Sequence, residues 1–266
     1  SPQQAGVPFN VRVEARDTWD NVLDSGVNAY AENEATLVDN GPDGLVVTSP
    51  VTLDFGGTAG IWEGTVTISG VNTGVNQVTL RAEDTVGPTT VGLGDSNAFT
   101  VDSGPLDHFV YTTNPGATET AGGAIAVFIE ARDSNDNLVD TYVGPAVISD
   151  TTGTISEGSA GGGVTSIVFI GGEYDGTGGT LYITEADTGI SITVSDGGYT
   201  GASSTFTVQP GVANHFTVVT SISSPQQAGV PFNVRVEARD TWDNVLDSGV
   251  NAYAENEATL VDNGPD

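Results

Sequence analysis

The 266-residue chain has no cysteine, no methionine and no lysine. Without cysteine there are no disulfides, no thiolate-bound zinc and no cysteine nucleophile. Without lysine, a lysine-to-asparagine isopeptide staple is excluded as well. The 6 basic residues are all arginine and face 35 acidic ones, giving a formal net charge of −29 at pH 7. Such a field repels phosphate backbones and anionic membrane surfaces, which argues against nucleic acid as a partner. No apolar run approaches the roughly 20 residues of a membrane helix, so no membrane insertion is expected in this segment, and no signal peptide opens it. Helical stripes with start and stop signals are missing. So is any N-x-[ST] acceptor for asparagine glycosylation.

What the chain does have is 36 glycines, 12 prolines and many Thr, Val and Asp residues, a composition of strands and turns. Phe9, Val11, Val13 and Ala15 alternate with Asn10, Arg12 and Glu14, the period of two that buries one face of a strand. Ile125, Val127, Ile129 and Ala131 repeat the pattern. Turn chemistry such as Gly161-Gly162-Gly163 and Asp196-Gly197-Gly198 separates the short runs. The expected class is all-β, with antiparallel sandwiches of about seven strands each.

Residues 1–43 return without a change as residues 224–266, a spacing of 223. Exposed strand and loop positions tolerate many residues, so this identity reports recent duplication and not physical constraint. A fainter level lies inside the period. Residues 212–223 followed by 1–24 run parallel to 105–140: each has His-Phe, then an Ala-Gly turn, an alternating strand ending EARD, and a loop with Asp-Asn. NQVTLRAED and GGTLYITEAD read as equivalent later strands, and the halves close on 98–101 and 205–208. Each half is about 110 residues, the size of one sandwich. The expected domains are a sandwich at 1–104 lacking its first strand, a second at 105–211, and at 212–266 the first part of the next repeat. Tandem sandwiches of this kind would form a rod. Its expected partners are adjacent copies of the same repeat, end to end, in one giant chain or in neighbouring subunits that share strands, with the giant chain preferred. On either arrangement a segment equivalent to 212–223 completes residues 1–103.

AGVPFNVRVEARDTWDNVLDS and AGGAIAVFIEARDSNDNLVDTYVG resemble the strand and turn of tandem bacterial immunoglobulin-like (Big/invasin-like) domains, found in prokaryotic extracellular adhesins, stalks and filaments. The resemblance covers essentially the whole chain and implies immunoglobulin-like sandwiches at a cell surface or in a secreted filament. Where that family has glycine before the loop asparagine, this chain has Asp20 and Asp136. The change loses a permissive backbone residue and adds a carboxylate.

That loop is where chemistry would sit. Asp17, Asp20, Asn21 and Asp24 in one half, with Asp133, Asn135, Asp136, Asn137 and Asp140 in the other, place oxygen ligands at tight spacing. Calcium takes six to eight oxygens, and clustered carboxylates with carbonyls supply them. Asp133 to Asn137 also resembles the calcium-binding D-x-N-D-N of cadherins. Asp102 and Asp107 of the linker, with Glu185 and Asp187 at a strand end, are expected to join the acidic loop at the domain joint, where an ion would relieve their repulsion. The alternative needs no ion, because Asp, Asn and Gly form turns and cap their own backbone.

Other candidates carry less. His108 and His215 occupy equivalent places and read as structural, Glu83 with Asp84 as a solvated pair and not a glycosidase dyad, and no nucleophile motif appears. No enzyme activity is expected. Two functions remain: a structural segment of a long extracellular filament or stalk, calcium-stiffened at its joints if the ion reading holds, or an adhesin module that grips glycans or a surface through its tryptophans.

Overall fold

The computed structural model describes residues 2–32, 35–40, 45, 47–49, 52–56, 58–73, 77–84, 94–256 and 258–261. The remaining parts of the repeated stretch, residues 1, 33–34, 41–43, 257 and 262–266, lie outside the described residues. The described chain is all-β, with no helix among these residues. It divides into two compact units, residues 1–108 with 131–142, and residues 109–130 with 143–266.

In the first unit one sheet runs Phe9–Glu14, Ile61–Ile68, Val47–Ser49, and another runs Thr52–Leu53, Ala35–Asp39, Leu80–Glu83, Gly94–Asp95. Neighbours within both are antiparallel. Gln3–Gln4 adds a short parallel pairing to Val101–Asp102. Leu37, Leu53, Phe55, Val66, Ile68, Val78 and Leu80 form the core of this sandwich. Each such side chain, taken fully out of water, contributes about 1.5–3 kcal/mol. Asp84 is buried with them and accepts a hydrogen bond from the Tyr30 hydroxyl at 2.8 Å, so it is a core acid and not a solvated one.

The second unit has the same plan. Ala124–Arg132 lies between His108–Thr113 and Glu173–Tyr182, and Ala146–Asp150 pairs with Ile192–Asp196. Ile125 is 1% exposed and Val127, Ile129 and Ala131 are fully buried, as alternation predicts. A separate pair joins His215–Val218 to Val236–Arg239.

Two expectations change. Phe9, Val11 and Val13 are only half-buried, because among the described residues their strand pairs on one side alone, and Ala15 beyond it is buried. The strands of NQVTLRAED and GGTLYITEAD are not equivalent either. Leu80–Glu83 lies beside Ala35–Asp39 and corresponds to Ile192–Asp196. Glu173–Tyr182 lies beside Ala124–Arg132 and corresponds to Ile61–Ile68. Alternation identifies a half-buried strand without saying which strand it pairs with, so similar letters were matched across different sheets.

Candidate functional site: acidic loops and the linker glycines

The D-x-x-D-N loop occurs three times and folds the same way each time. Its first aspartate accepts hydrogen bonds from the backbone N–H groups two and four residues on: Trp19 and Asn21 to Asp17 at 2.8 and 2.9 Å, Asn135 and Asn137 to Asp133 at 2.9 and 3.0 Å, Trp242 and Asn244 to Asp240 at 2.8 and 2.9 Å. The asparagine carbonyl accepts in return from the aspartate N–H at 2.9, 3.0 and 3.0 Å. The turn forces the fourth residue into the left-handed region, with φ of 70° at Asp20, 63° at Asp136 and 71° at Asp243. Asp is one of the few side chains that tolerates this conformation, so the loop forms without a glycine at this position. The arginine before each loop, Arg16, Arg132 or Arg239, donates to the carbonyl of that fourth residue.

What differs is the linker. Gly104 donates its N–H to Asp133 Oδ2 at 2.8 Å, and Gly211 donates to Asp240 Oδ2 at 2.7 Å. Asp133 is fully buried and Asp240 1% exposed. The loop asparagine reaches across to a strand end: Asn137 Nδ2 donates to the Ser69 carbonyl at 2.7 Å, Asn244 Nδ2 to the Thr184 carbonyl at 2.8 Å, and Ala186 N–H returns a bond to Asn244 Oδ1 at 2.8 Å. The third residue of the loop covers a glycine of the Ala-Gly turn. A Cβ on Gly6 would come within 2.5 Å of Asn135 Nδ2, and one on Gly122 within 2.2 Å of Trp242 Nε1. Trp242 also lies over Gly161. These contacts form a clasp, seen once in each unit. The hydrogen bonds of Asp17 come from Trp19 and Asn21 of its own loop, and Trp19 is 83% exposed.

Burial works against a charge on Asp133, but the amide of Asn137 and the N–H groups of Gly104, Asn137 and Asn135 outweigh it and hold the carboxyl below its ordinary value. Asp17 is lowered by Asn21 in the same way. Histidine completes each clasp: His108 Nε2 is 3.1 Å from Asp136 Oδ1 and its Nδ1 is 3.1 Å from Asp107 Oδ2. His215 Nε2 is 3.3 Å from Asp243 Oδ1.

Asp107, Asp133, Asn135 and Asp136 lie around Gly104 and His108. Asp102 takes part through its carbonyl, which accepts from Ala5 N–H at 2.8 Å, and Asp24 and Asp140 are exposed. Glu185 and Asp187 flank Ala186 and so belong beside the 240–247 loop, at the end of Glu173–Tyr182. Their placement follows from the strand correspondence corrected above. The oxygens do not fit a calcium ion. Those of Asp133 are taken by N–H donors, the Asp136 carboxylate faces His108, and among the described residues no three of His, Asp or Glu cluster closely enough to hold a metal. The linker glycines and the asparagine amides were not anticipated, although the shared spacing of four residues from Gly104 to His108 and from Gly211 to His215 marks them.

No family model matches the chain, and no curated protein matches its sequence. Solved structures that align with it include FdeC, an Escherichia coli adhesin, at 17% identity over 91% of this chain and 71% of that one, with a TM-score of 0.37. Another is the apo β-glucuronidase 3 of Bacteroides uniformis, at 13% identity over 76% of this chain and 22% of that one, with a TM-score of 0.28. Neither likeness bears on what the chain does.

Proposed function

We propose that the chain is a structural segment of a long extracellular or cell-surface filament or stalk, built from the 223-residue, two-sandwich repeat. The observation that carries this reading is the clasp found at both linkers, Gly104 to Asp133 and Gly211 to Asp240, with the same separation of 29 residues. A glycine-containing linker left free would behave as a flexible tether. Four N–H donor groups on each buried carboxylate, the linker glycine among them, remove that freedom at the glycine, and the exact return of residues 1–43 at 224–266 supplies the same loop again. In this reading each linker glycine is held, within its own unit, by N–H donation to an aspartate. The large negative charge keeps neighbouring filaments apart.

An adhesin module would draw on an exposed aromatic, and Trp19 is the one the loop offers. Its copy Trp242 lies against Gly122 and Gly161 inside a clasp, which favours a structural task for this tryptophan. The test is the native material. Denatured chains far heavier than 27.1 kDa and unbranched threads in the electron microscope are expected. A single species of that mass, or saturable glycan binding lost in Trp19→Ala, would overturn the reading.

A further inference from the structure

The second unit presents a sheet face without charge. Its sheet Ser166–Ile167, Ala146–Asp150, Ile192–Asp196, Tyr199–Ala202 buries Ile148, Ile167, Ile192 and Val194 on its inner side. Alternation turns the residues between them outward. Ser166, Val147, Ser195 and Thr200 stand in register across the sheet, and Ser149, Thr193 and Ala202 form the next row. Neither row holds a charged or an aromatic side chain. Val147 is 54% exposed, and Val168, just past the edge strand, is 63% exposed. The acids of these strands, Asp150 and Asp196, fall at strand ends with the parity of the buried residues, and Asp150 accepts from the N–H groups of Thr152 and Ile155 at 2.8 and 2.9 Å. Comparable faces are charged. In the first unit the corresponding sheet sets Glu83 opposite Thr36 and Arg81 between Val38 and Asp95, with Arg81 Nε 2.7 Å from Asp95 Oδ1. The other sheet of the second unit sets Glu130 opposite Glu173 and Asp175 opposite Phe128.

We propose that this face packs against the same face of a second copy, so that filaments associate side by side. Charge selects the occupant. In a chain of formal net charge −29, copies that meet on the acidic surfaces oppose or bury like charges, whereas on the Ser/Thr/Val rows they meet none. A cationic partner finds nothing to pair with there, and the rows offer no ring on which a sugar could stack. Two such sheets pack face to face about 10 Å apart, with Val147 and Val168 leaving water. Strands about 4.8 Å apart, with outward residues about 6.7 Å apart along each, offer roughly 400 Å² per partner. That is about half of the ~800 Å² a side of a standard stable interface, so isolated units pair weakly. For its strength the pairing rests on the filament reading, in which the face recurs once per 223-residue repeat and many weak contacts add along two neighbours. The negative charge that holds filaments apart over the rest of their surface confines contact to this face.

Sedimentation equilibrium of the 266-residue chain tests the contact. Raising salt from about 0.01 M to about 1 M shortens the Debye length from about 30 Å to about 3 Å, so self-association should tighten by about tenfold or more. Val147→Glu, at an exposed position that the fold tolerates, should weaken it by about tenfold. Thr112→Glu adds the same charge to the exposed surface of the other sheet and should change it by less than about twofold. A chain that stays monomeric at about 1 mM in high salt overturns the proposal. Equal effects of the two variants overturn it as well, since they would show general repulsion alone, and so does association that weakens with salt, the mark of ion pairs. Binding of dextran that is lost in Val147→Glu, with no self-association, would assign the face to a neutral glycan and overturn the pairing. Native threads of high mass that lie singly at every salt concentration would overturn it while leaving the filament reading standing. Native chains of only 27.1 kDa that still pair through Val147 would do the reverse.

Discussion

Residues 17–24 and 240–247 share every letter, yet Trp19 is 83% exposed and Trp242 36%. The internal hydrogen bonds of the two loops agree to about 0.1 Å from Asp17 or Asp240 to the N–H groups two and four residues on. What separates them is a linker: Gly211 reaches Asp240, and the bonds to Asp17 all come from within its loop. Local sequence therefore dictates the shape of the turn, and the surroundings decide whether its aspartate becomes a structural anchor. The third loop, at 133–140, makes the same point with different letters, since Asn135 replaces the tryptophan and the anchor persists.

The sharpest way to break the comparison is to remove the aspartate. Asp133→Ala strands the buried N–H of Gly104 and the part-buried N–H groups of Asn135 and Asn137, so the first unit should lose about 3 kcal/mol in urea unfolding, while Asp17→Ala should lose about 1 kcal/mol. Equal losses would mean that the linker bond contributes nothing. The tryptophans come next. Trp242→Ala uncovers Gly122 and Gly161 and should cost about 2 kcal/mol, against less than about 0.5 kcal/mol for Trp19→Ala. The two linker glycines sharpen it further. A Cβ at Gly104 would meet the Ala5 carbonyl at 2.8 Å and Asp133 Oδ2 at 3.1 Å, whereas at Gly211 the nearest atom is Asp240 Oδ2 at 3.3 Å. Gly104→Ala should thus cost about 1–2 kcal/mol and Gly211→Ala under about 1 kcal/mol.

Acid gives a smaller effect with a definite sign. The carboxyl of Asp133 is lowered in the folded state, so its contribution is present above the ordinary aspartate value of about 3.9 and is lost as pH falls through the lower folded value. Asp133→Asn should flatten the stability profile of the first unit below about pH 4. The smallest expected change is none: saturating calcium followed by chelator should leave the melting temperature where it was. A rise of several degrees would show an ion bound to the folded state.

Much of this was legible in the letters. Alternation at Ile125, Val127, Ile129 and Ala131 identified a buried strand, and the acidic loop was visible as a D-x-x-D-N spacing that the structure folds alike three times. The pairing of strands was not legible, because NQVTLRAED and GGTLYITEAD have the same period while lying in different sheets. That error carried Glu185 and Asp187 to the wrong loop. The chemistry of the aspartates was also open from sequence, since a carboxylate ringed by Asn and Gly satisfies either a cation or backbone N–H groups. Geometry decides between them, as the left-handed φ at Asp136 turns the N–H groups of Asn135 and Asn137 onto Asp133.

The most direct measurement of the clasp is amide hydrogen exchange at Gly104 and Gly211. Both N–H groups should be protected by at least about a thousandfold, and Asp133→Ala should strip protection from Gly104 while leaving Gly211 as it was. Fast exchange at both glycines in the unaltered chain, or protection of Gly104 that survives the loss of Asp133, would contradict a linker held by that carboxylate.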